Sequence, residues 1–284
     1  MMNIKRILAM GLAVCLLALA LASCGESSSS GSAAGDNTAT FGDTESDLDY
    51  VTDKGTLVIG YTVYEPMNYT DSNNEFTGFD TEFARVVCEK LGVTPDFVEI
   101  NWDTKIAELK SKTIDCIWNG MTITDELKQN IAISEPYVLN KQVLVCRSED
   151  ADTYTDTANL AGKGLVVEAG SAGETVATSD ENLKQADLIK VTKQTDALME
   201  IESGTADAAV FDWTLAQNMI GEGTDFADLV VVATLKEENY GIGFRQGSDL
   251  CDRVNEIIKE LVADGTLPAL AEKYDLDLAP EITQ

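Results

Sequence analysis

The sequence predicts an α/β fold built from two successive series of alternating strands and helices. From Thr56 onward, short apolar runs alternate with segments of helical periodicity, a pattern typical of largely parallel sheets flanked by helices. The first series ends near Trp118, the second begins near Gln142, and a last strand and long helix follow them. Two such series fit either two domains in tandem or one domain interrupted by the other. Periodicity alone leaves both arrangements open.

Local signals define the individual elements. Asp80 is a suitable N-cap for the first helix and Gly92 a suitable C-cap, because Asp accepts bonds from orphan N–H groups and Gly adopts a left-handed conformation. The first series is predicted as strand 56–61, helix 80–91, strand 94–100, helix 103–112 and strand 115–118. The remainder is predicted as strands 142–146, 164–168, 188–191, 208–211, 229–233 and 240–244, and as helices 172–179, 195–203, 213–220 and 249–264, with a last helix ending near 274.

The first 50 residues have the pattern of an exported protein. Lys5 and Arg6 precede a short apolar run ending in Leu21-Ala-Ser-Cys24, and this arrangement resembles a bacterial lipoprotein signal with its lipobox. We expect a signal peptide at 1–23, lipid attachment at Cys24, and a lipidated disordered tether at 24–50 that has almost no large apolar side chains. An uncleaved membrane anchor is the alternative. The expected location is the extracytoplasmic face of the cell membrane.

The composition excludes several classes of function. The chain has no histidine, which excludes histidine-based triads and imidazole metal sites, and its formal net charge of −29 argues against a nucleic-acid partner. Cys88, Cys116, Cys146 and Cys251 lack metal-ligand spacing. We interpret them as buried free thiols, with a disulfide as the open alternative. We predict no catalytic residue, no metal site and no cofactor.

The segment 115–137 is the most informative about function. A short apolar strand ends at Asn119-Gly120, hydroxyl-bearing residues follow, and Thr124 opens a helix. Backbone N–H groups and hydroxyls therefore converge on one point, which suits the carboxylate of a small ligand. The segment resembles the ligand loop of the amino-acid-binding proteins of ABC importers, solute-binding protein family 3, which include the glutamine- and histidine-binding proteins.

The resemblance covers almost all of the predicted folded part and implies its architecture. These proteins have a two-lobed, periplasmic-binding-protein-like fold of type II, in which lobe 2 is inserted in lobe 1. Ser134-Glu-Pro-Tyr137 matches the first crossing between the lobes and Tyr240-Gly-Ile-Gly243 matches the return. The resemblance therefore places lobe 1 at 51–138 and 239–280, and lobe 2 at 142–235.

The resemblance also implies which residues bind the ammonium group of an amino acid. Asp212 matches the aspartate that pairs with the α-ammonium, assisted by the carbonyl of Gly120 and the hydroxyl of Thr122. Asp212 directly follows an apolar strand, and ligands of open α/β sheets usually bind at the carboxyl ends of strands. Its alternative role is the N-cap of the helix that starts at Trp213.

For the ligand's carboxylate, the resemblance implies backbone donors from both lobes. They are the N–H of Thr122 and the N–H groups at the start of a lobe 2 helix, where Ser171 and Ala172 stand. Helix N-termini attract anions, so this part of the site requires no special side chain.

Family members usually add an arginine that binds the carboxylate, but Leu127 occupies that position here. Three explanations are open: another cation such as Lys141 or Lys128 reaches the carboxylate, backbone donors suffice, or the ligand is not a standard α-amino acid. We favour the first two together.

The residues expected around the ligand's side chain are aromatic and polar. Tyr64 and Trp102 match the aromatic positions that sandwich the side chain in the family. Asn119 and Glu168 are candidates to bind a polar or cationic group. A bare carboxylate at Glu168 favours arginine, lysine or ornithine, whereas a solvated loop glutamate is the equally open alternative.

These observations predict a lipid-anchored, extracytoplasmic solute-binding protein. It is expected to act as a monomer, to capture a free polar amino acid in a cleft between the lobes, and to present it to ABC permease subunits. A sensor lipoprotein for a membrane signalling partner is one alternative, because fold does not fix downstream use. A dehydratase on the same fold is the other, and the lack of a histidine base argues against it.

Overall fold

The computed structural model describes residues 46–283, so the predicted signal peptide (1–23), Cys24 and most of the predicted tether lie outside the described residues. Two five-stranded sheets and a two-stranded ribbon form in the described part. The strands are β1 (Thr56–Tyr61), β2 (Tyr69–Thr70), β3 (Phe76–Thr77), β4 (Thr94–Glu99), β5 (Cys116–Ile117), β6 (Ala132–Ile133), β7 (Val138–Arg147), β8 (Gly164–Glu168), β9 (Asp187–Val191), β10 (Ala208–Asp212), β11 (Leu229–Tyr240) and β12 (Gly243–Phe244). The helices are α1 (Asp47–Lys54), α2 (Phe79–Leu91), α3 (Lys105–Lys110), α4 (Asp125–Asn130), α5 (Ala151–Tyr154), α6 (Ala172–Ser179), α7 (Gln194–Glu202), α8 (Trp213–Met219), α9 (Asp249–Ala263), α10 (Thr266–Lys273) and α11 (Pro280–Thr283).

The strand order shows how the two sheets are connected. The first sheet has the order β4-β1-β5-β12-β6, in which β4, β1 and β5 are parallel and β12 is antiparallel to its two neighbours. The second sheet has the order β11-β7-β10-β8-β9. The chain forms the whole second sheet before β12 returns to the first sheet. Lobe 2, which is built on the second sheet, is therefore inserted in lobe 1, which is built on the first. The predicted two-lobed fold is confirmed.

A long antiparallel ladder of β7 and β11 joins the two lobes. Val138 stands opposite Tyr240 at one end, and Arg147 stands opposite Leu229 at the other. The strands predicted at 142–146 and 229–233 are therefore both too short, because each extends along its partner into the crossing between the lobes. The register shifts twice, between Val231 and Ala233 and between Thr234 and Lys236, as in β-bulges.

The N-terminal helix α1 corrects the predicted tether, which extended to residue 50. Ser46 caps the helix, Val51 is fully buried, and Asp249 accepts hydrogen bonds from the Ser46 hydroxyl and the Leu48 N–H. Composition alone did not reveal these long-range partners. The tether prediction is wrong for residues 46–50, which belong to the folded part.

Arg245 connects α1 to the rest of lobe 1. Its guanidinium contacts the carboxylate of Asp47 at 2.9 Å and that of Asp115 at 3.4 Å, and it donates to the carbonyl of Ile114 at 2.9 Å. Asp115 is almost completely buried and also pairs with Lys54. One side chain thus holds the helix and the start of β5 together.

Asp80 does not cap α2, which corrects the sequence prediction. The helix begins at Phe79 after Gly78, and the Asp80 carboxylate is fully buried. It accepts hydrogen bonds from the Gly120 N–H at 2.6 Å and the Tyr137 hydroxyl at 3.0 Å. Asp80 therefore connects the predicted ligand loop to the residue that precedes β7. Burial raises the pKa of the Asp80 carboxyl from 3.8 to about 7.

Other predictions about local structure hold. Gly92 ends α2 in the left-handed conformation expected of a C-cap. The four cysteines of the described part are buried and free, as their apolar surroundings predicted. Within residues 46–283, every helix is too short or too polar to cross a bilayer.

We expect Arg245→Met to lower the free energy of unfolding by roughly 3 kcal/mol, because it leaves buried carboxylates without a partner. Equilibrium unfolding in urea measures the change. Arg253→Met is the matched control, because Arg253 pairs on the exposed face of α9 with Glu256, and such pairs contribute about 1 kcal/mol or less. A loss of under about 1 kcal/mol in Arg245→Met would contradict the bridging role.

We expect the stability of the ligand-free protein to fall between pH 5 and pH 7.5, in part through Asp80. Its folded pKa of about 7 lies above the unfolded value of 3.8, so the native state binds more protons in this window and loses stability as the pH rises. Asp80→Asn cannot ionise and should flatten the slope measured by urea unfolding. Asp152→Asn, at an exposed position, should leave the slope unchanged. Equal slopes in all three proteins would show that Asp80 titrates normally.

Candidate functional site

A cavity of about 470 Å³ lies between lobe 1 and lobe 2. Its wall includes the end of β10, the start of α6, the loop after β5 and the start of α3. All nine residues predicted to bind a ligand line it: Tyr64, Trp102, Asn119, Gly120, Thr122, Glu168, Ser171, Ala172 and Asp212. The structure therefore brings together residues that span about half the sequence.

Asp212 presents a buried carboxylate that is held by amide donors. Its oxygens accept hydrogen bonds from the side chains of Asn140 at 3.0 Å, Gln194 at 2.6 Å and Gln142. Asp212 precedes α8, but its side chain accepts no hydrogen bond from that helix, so the alternative role as a side-chain N-cap is wrong. Burial and the nearby charge of Glu238 raise the pKa of Asp212 to about 7.

Glu238, which does not itself line the cavity, places a second, partly buried carboxylate behind Thr122, and the sequence interpretation missed it. One of its oxygens accepts hydrogen bonds from the Thr122 hydroxyl at 2.7 Å and from the amides of Asn140 and Gln142 at 2.7 and 2.8 Å. The other oxygen is buried and has no partner among the described residues. Glu238 and Asp212 thus share the same two amides, and burial raises the pKa of Glu238.

Alternation along the crossing strands was the signal that could have revealed this network. Asn140 and Gln142 are two residues apart, so both side chains lie on the same face of β7. Glu238 stands opposite Asn140 in the ladder with β11. Polar residues at alternating positions of a largely buried strand indicate a buried polar network. The register that places Glu238 opposite Asn140, however, joins distant parts of the sequence.

The loop after β5 is fixed by close packing. Gly120 has φ +55°, and a Cβ atom there would lie 2.8 Å from the Tyr64 ring, so only glycine fits. The Asn119 amide group donates to the Thr62 carbonyl and the Asn68 side chain, both at 2.8 Å. The Asn119 amide group, predicted to bind a polar group of the ligand, therefore already donates two hydrogen bonds within lobe 1 and holds the loop in place.

Backbone donors from both lobes face the cavity. On either side of Thr122, the Ile123 N–H donates to the carbonyl of Asn239 and the Gly241 N–H donates to the carbonyl of Met121. The N–H of Thr122 itself has no partner in the described part. In lobe 2, the Ser171 hydroxyl caps α6 by accepting from the Glu174 N–H at 3.1 Å. The first helical N–H, that of Ala172, is likewise left without a partner among residues 46–283.

The cations of the cavity are not those suggested from the sequence. Leu127 lines the cavity and is nearly buried, but Lys128 lies outside it and is 3.8 Å from Asp125. Lys141 also lies outside, with its ammonium 5.5 Å from the Trp213 ring. The expectation that either lysine reaches the cavity is wrong, because their side chains lie on other faces.

Two other lysines, Lys105 and Lys190, line the cavity, and the sequence interpretation missed both. Lys190 forms an ion pair with Glu174 at the start of α6. The Lys105 ammonium lies 4.7 Å from the centroid of the Trp102 ring, and its side chain is largely buried. No periodicity marks Lys105, because it is the first residue of a helix of only six residues.

Glu168 is buried at the end of β8, so the alternative of a solvated loop glutamate is wrong. Only 5% of the residue is exposed. Burial and the charge of Asp212 raise the pKa of the Glu168 carboxyl to about 8, opposed by the positive charge of Lys105. The site therefore contains two kinds of group. The buried carboxylates of Asp212 and Glu168 take up protons near neutral pH, and the N–H groups of Thr122 and Ala172 have no partner in the described part.

Comparison with known proteins relates this site to amino-acid-binding proteins. The chain is 30% identical over 229 residues to the L-cystine-binding protein TcyJ of Escherichia coli (strain K12), covering 80% of this chain and 85% of that protein. It is 28% identical over 226 residues to the arginine-binding extracellular protein ArtP of Bacillus subtilis (strain 168), covering 78% and 86%.

Solved structures give the same result. A mutant of ArgBP from T. maritima superposes with a TM-score of 0.74 at 31% identity, covering 81% of this chain and 99% of that one. An ancestral amino acid-binding protein described as a precursor of cyclohexadienyl dehydratase gives 0.71 at 31% identity, with 81% and 99% coverage. An ABC uptake transporter substrate binding protein from Streptococcus pneumoniae with bound histidine gives 0.72 at 27% identity, with 82% and 97% coverage.

The family assignment rests on the length of the match as well as on these relatives. The sequence model of the bacterial extracellular solute-binding proteins, family 3, matches residues 57–277, which include all but the first residue of the two sheets and the residues that line the cavity. The chain belongs to the family 3 bacterial extracellular solute-binding proteins.

Proposed function

We propose that this protein captures a polar amino acid in the interlobe cavity and delivers it to an ABC permease from the extracytoplasmic face of the membrane. The observation that carries the proposal is the arrangement of complementary groups around one cavity. The buried carboxylates of Asp212 and Glu168 line the cavity, and so do Thr122 and Ala172, whose N–H groups have no partner among the described residues. An α-amino acid carries an ammonium group that can pair with a carboxylate and a carboxylate that can accept from the N–H groups.

The buried carboxylates support a polar or cationic amino acid. An ammonium placed near Asp212 would ionise a carboxylate whose pKa is about 7, and the electrostatic attraction would offset the loss of hydration. Glu168 offers a second carboxylate for a cationic side chain. The relatives whose names specify cystine, arginine and histidine support ligands of this kind.

Delivery requires a location outside the cytoplasm and a transporter. We propose lipid attachment at Cys24, with the monomeric protein held at the membrane and docked on permease subunits when the lobes close around the ligand. The relative from Streptococcus pneumoniae, described as part of an ABC uptake transporter, supports this role. The alternative function, a sensor lipoprotein, would use the same cavity but would dock on a membrane signalling partner instead of a permease.

We propose binding rather than catalysis. The similarity to a precursor of cyclohexadienyl dehydratase, and buried carboxylates with pKa values near neutral, keep a dehydratase as the second candidate. Asp212, however, already accepts hydrogen bonds from three amide side chains, which hold its carboxylate in one orientation. Such a carboxylate is well placed to bind an ammonium group and poorly placed to move toward a reacting atom.

We expect an amino acid to raise the melting temperature of the chain from residue 25 onward. A ligand at about 100 times its dissociation constant stabilises the folded state by roughly 2.7 kcal/mol. A thermal-shift screen against L-cystine, L-arginine, L-histidine, L-lysine and L-ornithine measures this effect. Asp212→Asn should weaken binding roughly 30-fold or more, whereas the exposed Asp152→Asn should not change it. No stabilisation of the folded protein by any amino acid would contradict the proposed function.

We expect the affinity for the amino acid to fall as the pH decreases below 7. Asp212 has a pKa of about 7 without ligand and must be ionised to pair with an ammonium, so binding releases a proton at lower pH. The dissociation constant should rise by up to about tenfold per pH unit between pH 7 and pH 5. Isothermal titration calorimetry at four pH values measures it. An unchanged dissociation constant from pH 8 to pH 5 would show that Asp212 does not pair with the ligand.

A further inference from the structure

We propose that Lys105 supplies the cation that binds the ligand's carboxylate, in place of the arginine that is missing at position 127. This inference rests on the proposed function and identifies a specificity-determining residue that was not predicted from the sequence. It is drawn from three observations on Lys105: its unused donor, its unpaired charge and its place beside the start of α6.

The first observation is a hydrogen-bond donor without an acceptor. The Lys105 ammonium donates to the carbonyl of Trp102 at 3.0 Å and to the carbonyl of Gly170 at 2.7 Å. An ammonium carries three N–H donors, and the third has no partner among the described residues. Because Lys105 lines the cavity and only 5% of the residue is exposed, a ligand is the natural acceptor for that donor.

The second observation is a buried charge without a counterion. Within residues 46–283, no carboxylate lies within ion-pair distance of the Lys105 ammonium, whereas Lys190, the other lysine of the cavity, is paired with Glu174. Burial lowers the pKa of Lys105 from 10.5 to about 8, although the more distant carboxylates of Glu168 and Asp103 oppose that change. A buried ammonium costs free energy until an anion pairs with it, and a carboxylate of the ligand would complete the pair.

The third observation is the position of the ammonium at the contact between the lobes. Lys105 belongs to lobe 1, and its acceptor Gly170 belongs to the lobe 2 loop that leads through Ser171 into α6. A Cβ atom at Gly170 would lie 2.9 Å from Asp103, so glycine permits the close approach. The ammonium therefore lies beside the cavity-lining loop that leads to Ala172, whose N–H has no partner among the described residues.

The cavity is therefore lined by buried groups of both charges. Asp212 would bind the ammonium of an amino acid. Lys105, with the N–H groups of Thr122 and Ala172, would bind its carboxylate. Leu127 is tolerated because the cation comes from α3 instead of α4.

The test compares an amino acid with the amine that lacks its carboxylate. The probes are L-arginine with agmatine, L-histidine with histamine, and L-cystine with cystamine, titrated by calorimetry into the chain from residue 25 onward. Lys105→Gln removes the charge and keeps a polar side chain. Lys105→Arg keeps the charge, and Lys110→Gln is a matched control at an exposed position of the same helix. Thermal unfolding without ligand verifies that each variant is folded.

We expect Lys105→Gln to weaken binding of the preferred amino acid roughly 30-fold or more and binding of the corresponding amine less than about threefold. Lys105→Arg should retain most of the preference for the carboxylate, and Lys110→Gln should match the wild type. Equal weakening for amino acid and amine would overturn the inference, because Lys105 would then only hold the lobes together. Unchanged binding in Lys105→Gln would also overturn it. A wild-type protein that binds no amino acid would instead overturn the proposed function and this inference with it.

Discussion

The antiparallel ladder of β7 and β11 is the interaction on which the rest of the structure depends. It joins the two lobes, and its register places Glu238 opposite Asn140. The next residue on the same face of β7, Gln142, reaches both Glu238 and Asp212. A strand that crosses between the lobes thus also carries the polar groups that position Asp212 in the cavity and Glu238 behind Thr122. Because a buried carboxylate is stabilised by the hydrogen bonds that it accepts, this network fixes the orientation of Asp212.

Other parts of the cavity wall are built differently. Among residues 46–283, the backbone N–H groups of Thr122 and Ala172 have no partner, and Lys105 contributes a buried ammonium. Asp80 supports the same region from behind, because its buried carboxylate holds the Gly120 N–H and the Tyr137 hydroxyl. The cavity is therefore lined by buried groups of both charges, among them Asp212, Glu168 and Lys105. We propose that they bind the two charged groups of a zwitterion, with Lys105 in the role of the arginine that is missing at position 127.

Local patterns in the sequence were sufficient to predict much of this molecule. Alternating strand and helix signals predicted most elements, and the resemblance of the 115–137 segment and of Asp212 to the family placed nine residues on one cavity. The errors share one cause, which is contact between distant parts of the chain. Asp80 has the local signature of an N-cap, yet its partner is Gly120, 40 residues away. Glu238 and Lys105 were missed because the ladder register and the approach of Gly170 to α3 cannot be read from local sequence.

The most direct test of the account is a crystal structure of the protein with the amino acid that stabilises it most. We predict that the ligand's ammonium lies within hydrogen-bond distance of Asp212 and that its carboxylate contacts Lys105 and the N–H groups of Thr122 and Ala172. A ligand bound in the reverse orientation, or bound outside the interlobe cavity, would contradict the account.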